Sequence, residues 1–195
     1  MFALALLLAA APAPDPEALR QVIIARCGIA ADRLAVEPWT DPPEEVLVVK
    51  GDELLPDGQL SCLGAALSQA NVEGYPVAFS FDDFALGKRY SILRGREGLA
   101  QMGLLDRLPV YDAERETRAR FARRLERLCK ARPGSLLIVR RGNIRVRAHV
   151  FDDPKLLGSD AVVCAVNALE ASGFNALGMP EAIYVPVTVV TTPAS

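Results

Sequence analysis

The stretch SDAVVCAVNALEASGFNALG, residues 159–178, decides the fold expected for the C-terminal half of the chain. Its apolar residues recur every three or four positions, which is the spacing of one face of an α-helix. That apolar stripe consists of Val162, Ala165, Val166 and Leu169, and the polar residues expected opposite it are Asp160, Asn167 and Glu170. Ser159 is a good N-cap residue, and Gly173 is expected to end the helix. Cys164 lies at the edge of the stripe.

A second helix, predicted over residues 57–70, places Cys62 at the same edge of its own apolar stripe. Cys27 and Cys62 are 35 residues apart, and so are Cys129 and Cys164. Because Cys62 and Cys164 lie at the same edge of their helices and the spacing repeats, we predict the disulfides Cys27–Cys62 and Cys129–Cys164. On the chain-entropy model, each would stabilise the folded state by about 3–4 kcal/mol. The alternatives are buried reduced thiols and a redox-active thiolate at Cys27 or Cys164.

The rest of the chain predicts an α+β fold, with helices on one face of a mainly antiparallel sheet. Predicted helices cover residues 16–27, 57–70 and 113–130 and the stretch beginning at 159, and a short helix is expected within 97–105. Predicted strands cover residues 33–39, 44–51, 75–81, 135–140, 144–151 and 182–190. Both halves, residues 14–107 and 108–195, therefore follow the order αββαβ, which indicates an internal duplication. One joint domain and two small domains are both compatible with this pattern.

The N-terminal segment MFALALLLAAAPA, residues 1–13, predicts a signal peptide. Its apolar run is much shorter than the roughly 20 residues that span a bilayer. The run lacks a preceding Lys or Arg, so a buried N-terminal strand or helix is the alternative. No later segment is apolar for long enough to predict a transmembrane helix. The expected location is therefore periplasmic or secreted.

The stretch from Val150 to Met179 resembles the periplasmic domain of ExbD/TolR-type biopolymer transport proteins. The matching positions are Val163, Val166, Leu169, Gly173, Phe174, Leu177, Gly178 and Met179. That family also has a transmembrane helix carrying an Asp, whereas this chain has only the short leader. The resemblance implies an envelope protein that acts by contact and not by catalysis.

Two acidic pairs are the candidates for an enzymatic site: Asp82-Asp83 and Asp152-Asp153, each following an aromatic residue. Paired carboxylates serve general acid–base chemistry or bind divalent ions, so a carboxylate- or metal-dependent enzyme is the alternative function. Turns and helix N-terminal charges explain the same residues without catalysis. The single histidine, His149, is expected on an exposed strand face, and no cofactor motif is present. We therefore expect a non-catalytic protein without a cofactor.

Charge is distributed unevenly along the chain. Residues 14–107 carry 9 basic and 15 acidic side chains, whereas residues 108–195 carry 13 basic and 9 acidic ones. The candidate partner-binding residues are Arg118, Arg120, Arg123, Arg124, Arg127, Arg145 and Arg147. The expected partner is an anionic protein or envelope surface, and nucleic acid is not expected.

Two explanations of the basic residues need no partner. The helix could be solvated, with the i,i+4 pairs Glu116–Arg120 and Glu126–Lys130. Alternatively, the acidic first half could pack against the basic second half.

Overall fold

The computed structural model describes residues 15–40, 43–50, 55–72 and 78–174 of the 195. The predicted signal peptide, residues 1–13, and the predicted last strand, residues 182–190, lie outside the described residues. The elements are α1 (Pro16–Cys27), β1 (Leu34–Thr40), β2 (Pro43–Val49), α2 (Asp57–Val72), β3 (Ala78–Phe81), α3 (Phe84–Gln101), α4 (Arg118–Leu128), β4 (Leu137–Arg140), β5 (Asn143–Val146), α5 (His149–Asp152), α6 (Pro154–Leu157) and α7 (Asp160–Ala171).

The predicted α+β class is confirmed. β1, β2 and β3 form one sheet in that order, with β1 antiparallel and β3 parallel to β2. β4 and β5 form a separate antiparallel hairpin. Its two-residue turn is Arg141-Gly142, with φ values of 46° and 79°. Positive φ at both positions gives a turn whose twist matches that of the strands.

Three predicted elements differ from the observed ones. α3 is an 18-residue helix that begins after its N-cap Asp83, far longer than the helix expected within residues 97–105. The helix expected over 113–130 begins only at Arg118, because Thr117 adopts an extended conformation and caps it. The strand expected over 144–151 ends at Val146, and α5 and α6 follow it.

Two clusters of buried side chains form the core of the described residues. The first contains Ile23, Leu34, Leu47, Leu63 and Phe79 among others, and the second contains Phe121, Leu125, Ile144, Val162 and Leu169 among others. α3 contributes to both, because Leu86 and Tyr90 belong to the first cluster and Leu99 to the second. The division of the chain after residue 107 and the internal duplication stay predictions.

Both predicted disulfides are confirmed. Cys27–Cys62 joins the end of α1 to α2, and Cys129–Cys164 joins the end of α4 to α7, with a Cα–Cα distance of 5.5 Å in each. Cys129 and Cys164 are buried in the second core, whereas Cys27 and Cys62 are partly exposed. Each disulfide thus connects two helices of one core.

α3 and α7 pack so closely that the backbone of one helix contacts the backbone of the other. A Cβ atom added at Gly95 would lie 2.5 Å from the backbone nitrogen of Ala171 and from the carbonyl oxygen of Asn167. Only a residue without a side chain fits there. The same packing buries Glu170, which is 5% exposed, because the side of α7 opposite its apolar stripe packs on α3.

Candidate functional site

α4 presents its apolar side to the second core and its arginines to the surface. Phe121, Leu125 and Leu128 are buried in that core. The Thr117 side-chain oxygen accepts a hydrogen bond from the backbone N–H of Arg120 at 3.3 Å, which begins the helix at this point. α4 packs on β4, β5 and α7, so its position is set by both the hairpin and the Cys129–Cys164 disulfide.

Glu126 is a fully buried carboxylate on α4 that holds the loop between α4 and β4. Its Oε1 accepts from the backbone N–H groups of Leu136 and Leu137 at 2.8 Å each, and its Oε2 accepts from that of Gly134. The predicted solvent-exposed pair Glu126–Lys130 is therefore wrong. Both carboxylate oxygens of Glu126 thus bind backbone N–H groups and no arginine.

Three arginines of α4 form an exposed, unpaired row that we call the arginine stripe: Arg120, Arg123 and Arg127. All three are exposed, and none forms an ion pair or a hydrogen bond through its side chain within the described part of the chain. At 3.6 residues per turn, the three positions lie within about 60° of one another around the helix and span about 10 Å along it. The stripe is thus a line of charge on one side of the helix.

The two other arginines of α4 have partners. Arg118 donates to the carbonyl oxygen of Gly142 in the hairpin turn. Arg124 forms an ion pair with Glu116, whose side chain is only 6% exposed. The predicted pair Glu116–Arg120 is therefore wrong, because Glu116 precedes the helix start and its carboxylate reaches Arg124.

Arg145 and Arg147, the remaining candidate binding residues, lie on the hairpin and not on the stripe. Arg145 is opposite Ile138 in the β4–β5 register, and the Arg147 backbone N–H donates to the Leu136 carbonyl. Both side chains are half-buried, and their Nε atoms are buried without a partner among the described residues. Of the seven candidate arginines, five therefore lie on α4 and two lie on or directly after the hairpin.

One carboxylate of each acidic pair, Asp83 and Asp153, caps a helix. Asp83 caps α3 through a hydrogen bond from the Leu86 N–H at 2.6 Å, and Asp153 caps α6 through bonds from the N–H groups of Lys155 and Leu156. Helix capping satisfies N–H groups that have no partner in the first turn. Within the described ranges, no three His, Cys, Asp or Glu side chains gather where they could hold a metal ion.

The other reactive candidates are also accounted for. His149 is exposed in the short helix α5 and not on a strand as predicted. All four cysteines are in disulfides, so no thiolate is present for the redox alternative.

The fold and the site define a disulfide-stabilised α+β protein with an unpaired arginine stripe. No helix in the part of the chain that the structure describes is long and apolar enough to cross a membrane. Neither a family model, nor a curated protein, nor a solved structure matches this chain.

Proposed function

We propose that the protein is an exported, non-catalytic module that binds an anionic partner through the arginine stripe. The observation that carries the proposal is the exposure of Arg120, Arg123 and Arg127 side by side, with no acidic residue of the described ranges paired with them. Like charges one turn apart destabilise a helix, and a bound anion relieves that repulsion. The stripe therefore has an electrostatic reason to bind an anion.

Packing of the acidic half on the basic half does not account for these arginines. The two parts of the described chain meet mainly where α3 lies on α7, and α4 packs on the hairpin and α7. The α4 side chains that enter a core are apolar or, at Glu126, bonded to the backbone. Within the described ranges, the stripe is thus left exposed to an external partner.

Export is supported by the two disulfides together with the leader-like residues 1–13. Disulfides persist in oxidising compartments and are rare in the cytosol. The resemblance to ExbD/TolR-type domains adds the proposal that the protein acts by contact in the envelope. N-terminal sequencing of the mature protein tests export, and an uncleaved Met1 on protein kept in the cytoplasm would contradict it.

The binding proposal is tested by charge reversal. The mature protein is passed over immobilised envelope material from the producing cell, and its retention is measured as salt is raised. Arg120→Glu, Arg123→Glu and Arg127→Glu, combined in one variant, are expected to abolish the salt-sensitive retention.

A matched control variant carries Arg26→Glu, Arg96→Glu and Arg107→Glu, which lie at exposed sites outside α4 and change the net charge equally. The control should be retained like the unmodified protein. Equal loss in both variants, or in neither, contradicts a site on α4. Thermal unfolding confirms that both variants fold.

A further inference from the structure

We propose that the anion bound by the arginine stripe is a linear polymer of phosphate groups. This inference rests on the proposed function and names its ligand. It depends on three features of α4: the linear arrangement of its free cations, the burial of its large apolar residues, and the chemistry of guanidinium.

The arrangement of the stripe fits a ligand with repeated charges along a line. Arg120 and Arg127 are two turns apart on nearly the same side of α4, and Arg123 lies between them, so neighbouring cations are separated by roughly 4.5–6 Å of helix rise. A compact single anion would reach one or two of these side chains. An extended polymer can place a charged group at each of them in turn.

The surroundings of the stripe do not favour a folded protein or a bilayer. Protein interfaces bury an apolar or aromatic centre, and amphipathic helices enter bilayers by their apolar face. The large apolar residues of α4, Phe121, Leu125 and Leu128, are all buried in the core. The exposed valine Val110 lies at the flank, where its carbonyl oxygen is 3.5 Å from Arg124 Nη1.

Guanidinium chemistry favours phosphate oxygens as the ligand atoms. Each arginine presents a planar fork of donors that matches phosphate as well as carboxylate oxygens, but each phosphate of a linear polymer stays charged at pH values below about 4, where carboxylates take up protons. Glu116 holds Arg124 at the edge of the stripe and partly neutralises it. Removing that carboxylate should therefore add a fourth cation to the same surface.

The test is a titration of the mature protein with long-chain polyphosphate at several salt concentrations. Each phosphate neutralised on a single-stranded polyanion contributes about 0.7 to the slope of log K against log salt. Three arginines predict a slope of about −2, so that binding weakens roughly 20-fold between about 50 and 200 mM salt. Arg123→Ala should reduce the slope by about 0.7.

Two further variants separate polyphosphate binding from other kinds of binding. Glu116→Gln is expected to make the slope steeper by about 0.7, a gain that a misfolded protein would not show. Val110→Ser is expected to leave polyphosphate binding unchanged, whereas a protein partner that uses the exposed valine would be lost. Vesicles of phosphatidylglycerol and phosphatidylcholine, poly-glutamate and a sulfated polysaccharide are titrated in parallel.

The outcomes distinguish this inference from the proposed function. Polyphosphate binding that is tighter than binding to the other probes and depends on Arg120, Arg123 and Arg127 supports both. Preference for vesicles, poly-glutamate or the sulfated polysaccharide overturns the phosphate polymer. Retention on envelope material that depends on the stripe but resists competition by polyphosphate also overturns it, while the proposed function stands. Retention without any dependence on the stripe overturns both.

Discussion

At the scale of single residues, the burial of ionisable side chains is the feature of the structure that the sequence predicts least well. Glu126 and Glu170 are both buried, and in the sequence each looks like a solvent-facing helix residue. Tyr90 is buried beside Phe79 and Phe81, with ring centroids 5.6 and 5.1 Å away. Such residues make the fold sensitive to small chemical changes at particular positions.

Glu126→Gln is expected to lower the free energy of unfolding by roughly 1–3 kcal/mol. A carboxylate offers two acceptor oxygens to the N–H groups of Gly134, Leu136 and Leu137, whereas glutamine offers one oxygen and an NH₂ group that cannot accept. Urea unfolding measures the change. Glu114→Gln is the control, since Glu114 is exposed, and an equal effect in both variants would contradict the role of the buried carboxylate.

Tyr90 is expected to make the fold sensitive to alkali. Burial raises the pKa of Tyr90 from 10.0 to about 12. In the unfolded chain the tyrosine loses its proton at its ordinary, lower pKa. The stabilisation is therefore fully present below pH 10 and is lost as the pH rises through about 12. The total loss is roughly 2–3 kcal/mol. Unfolding midpoints across this range measure it. Tyr90→Phe should flatten the dependence of stability on pH, whereas the control Tyr111→Phe should keep it. The same pH dependence in both variants would refute the effect.

At the scale of elements, side-chain caps set where several helices begin. Two glycines of α3, Gly95 and Gly98, allow its close contact with α7. Asp15, Asp83, Thr117 and Ser159 each cap a helix through a side-chain oxygen. Caps are local, so α1 and α7 could be predicted nearly to the residue. The length of α3 could not, because its glycines look like interruptions until their contacts with other helices are known.

Gly95→Ala is expected to destabilise the fold by about 1–3 kcal/mol, although alanine is the better helix former. The new methyl group would meet the backbone of Asn167 and Ala171, which cannot move without separating α3 from α7. Gly58→Ala is the matched control: it is also inside a helix, but nothing lies within 4 Å of the added methyl. Chemical denaturation of the two variants should give clearly different stabilities, and equal values would contradict the close packing.

At the scale of the whole molecule, the described residues form two cores. A disulfide crosslinks two helices of each core, and α3 contributes side chains to both. The first lies between α1, α2 and the three-stranded sheet, and the second between α4, α7 and the hairpin. The disulfides close loops of equal length, but they differ in exposure. Cys129 and Cys164 are 5% and 1% exposed, whereas Cys27 and Cys62 are partly accessible.

The two disulfides are expected to be reduced in a fixed order in the native protein. A reductant must reach a sulfur atom, so Cys27–Cys62 should open first and Cys129–Cys164 only after the second core opens. Limited reduction followed by thiol alkylation and peptide mapping measures the order. The same experiment in denaturant should remove the difference, and native reduction of Cys129–Cys164 first would contradict the burial.

The pairing of the cysteines, the α+β class and the ends of α1 and α7 could be derived from residue spacing, because caps, turns and helical phase depend on neighbours a few positions away. The sequence also located the basic residues on α4, but not which of them are free. That depended on which groups Glu116 and Glu126 bind, and on which arginine side chains are left exposed. Only the tertiary structure decides such matters, because the burial and pairing of a charge depend on backbone groups and side chains that the fold brings close from elsewhere in the chain.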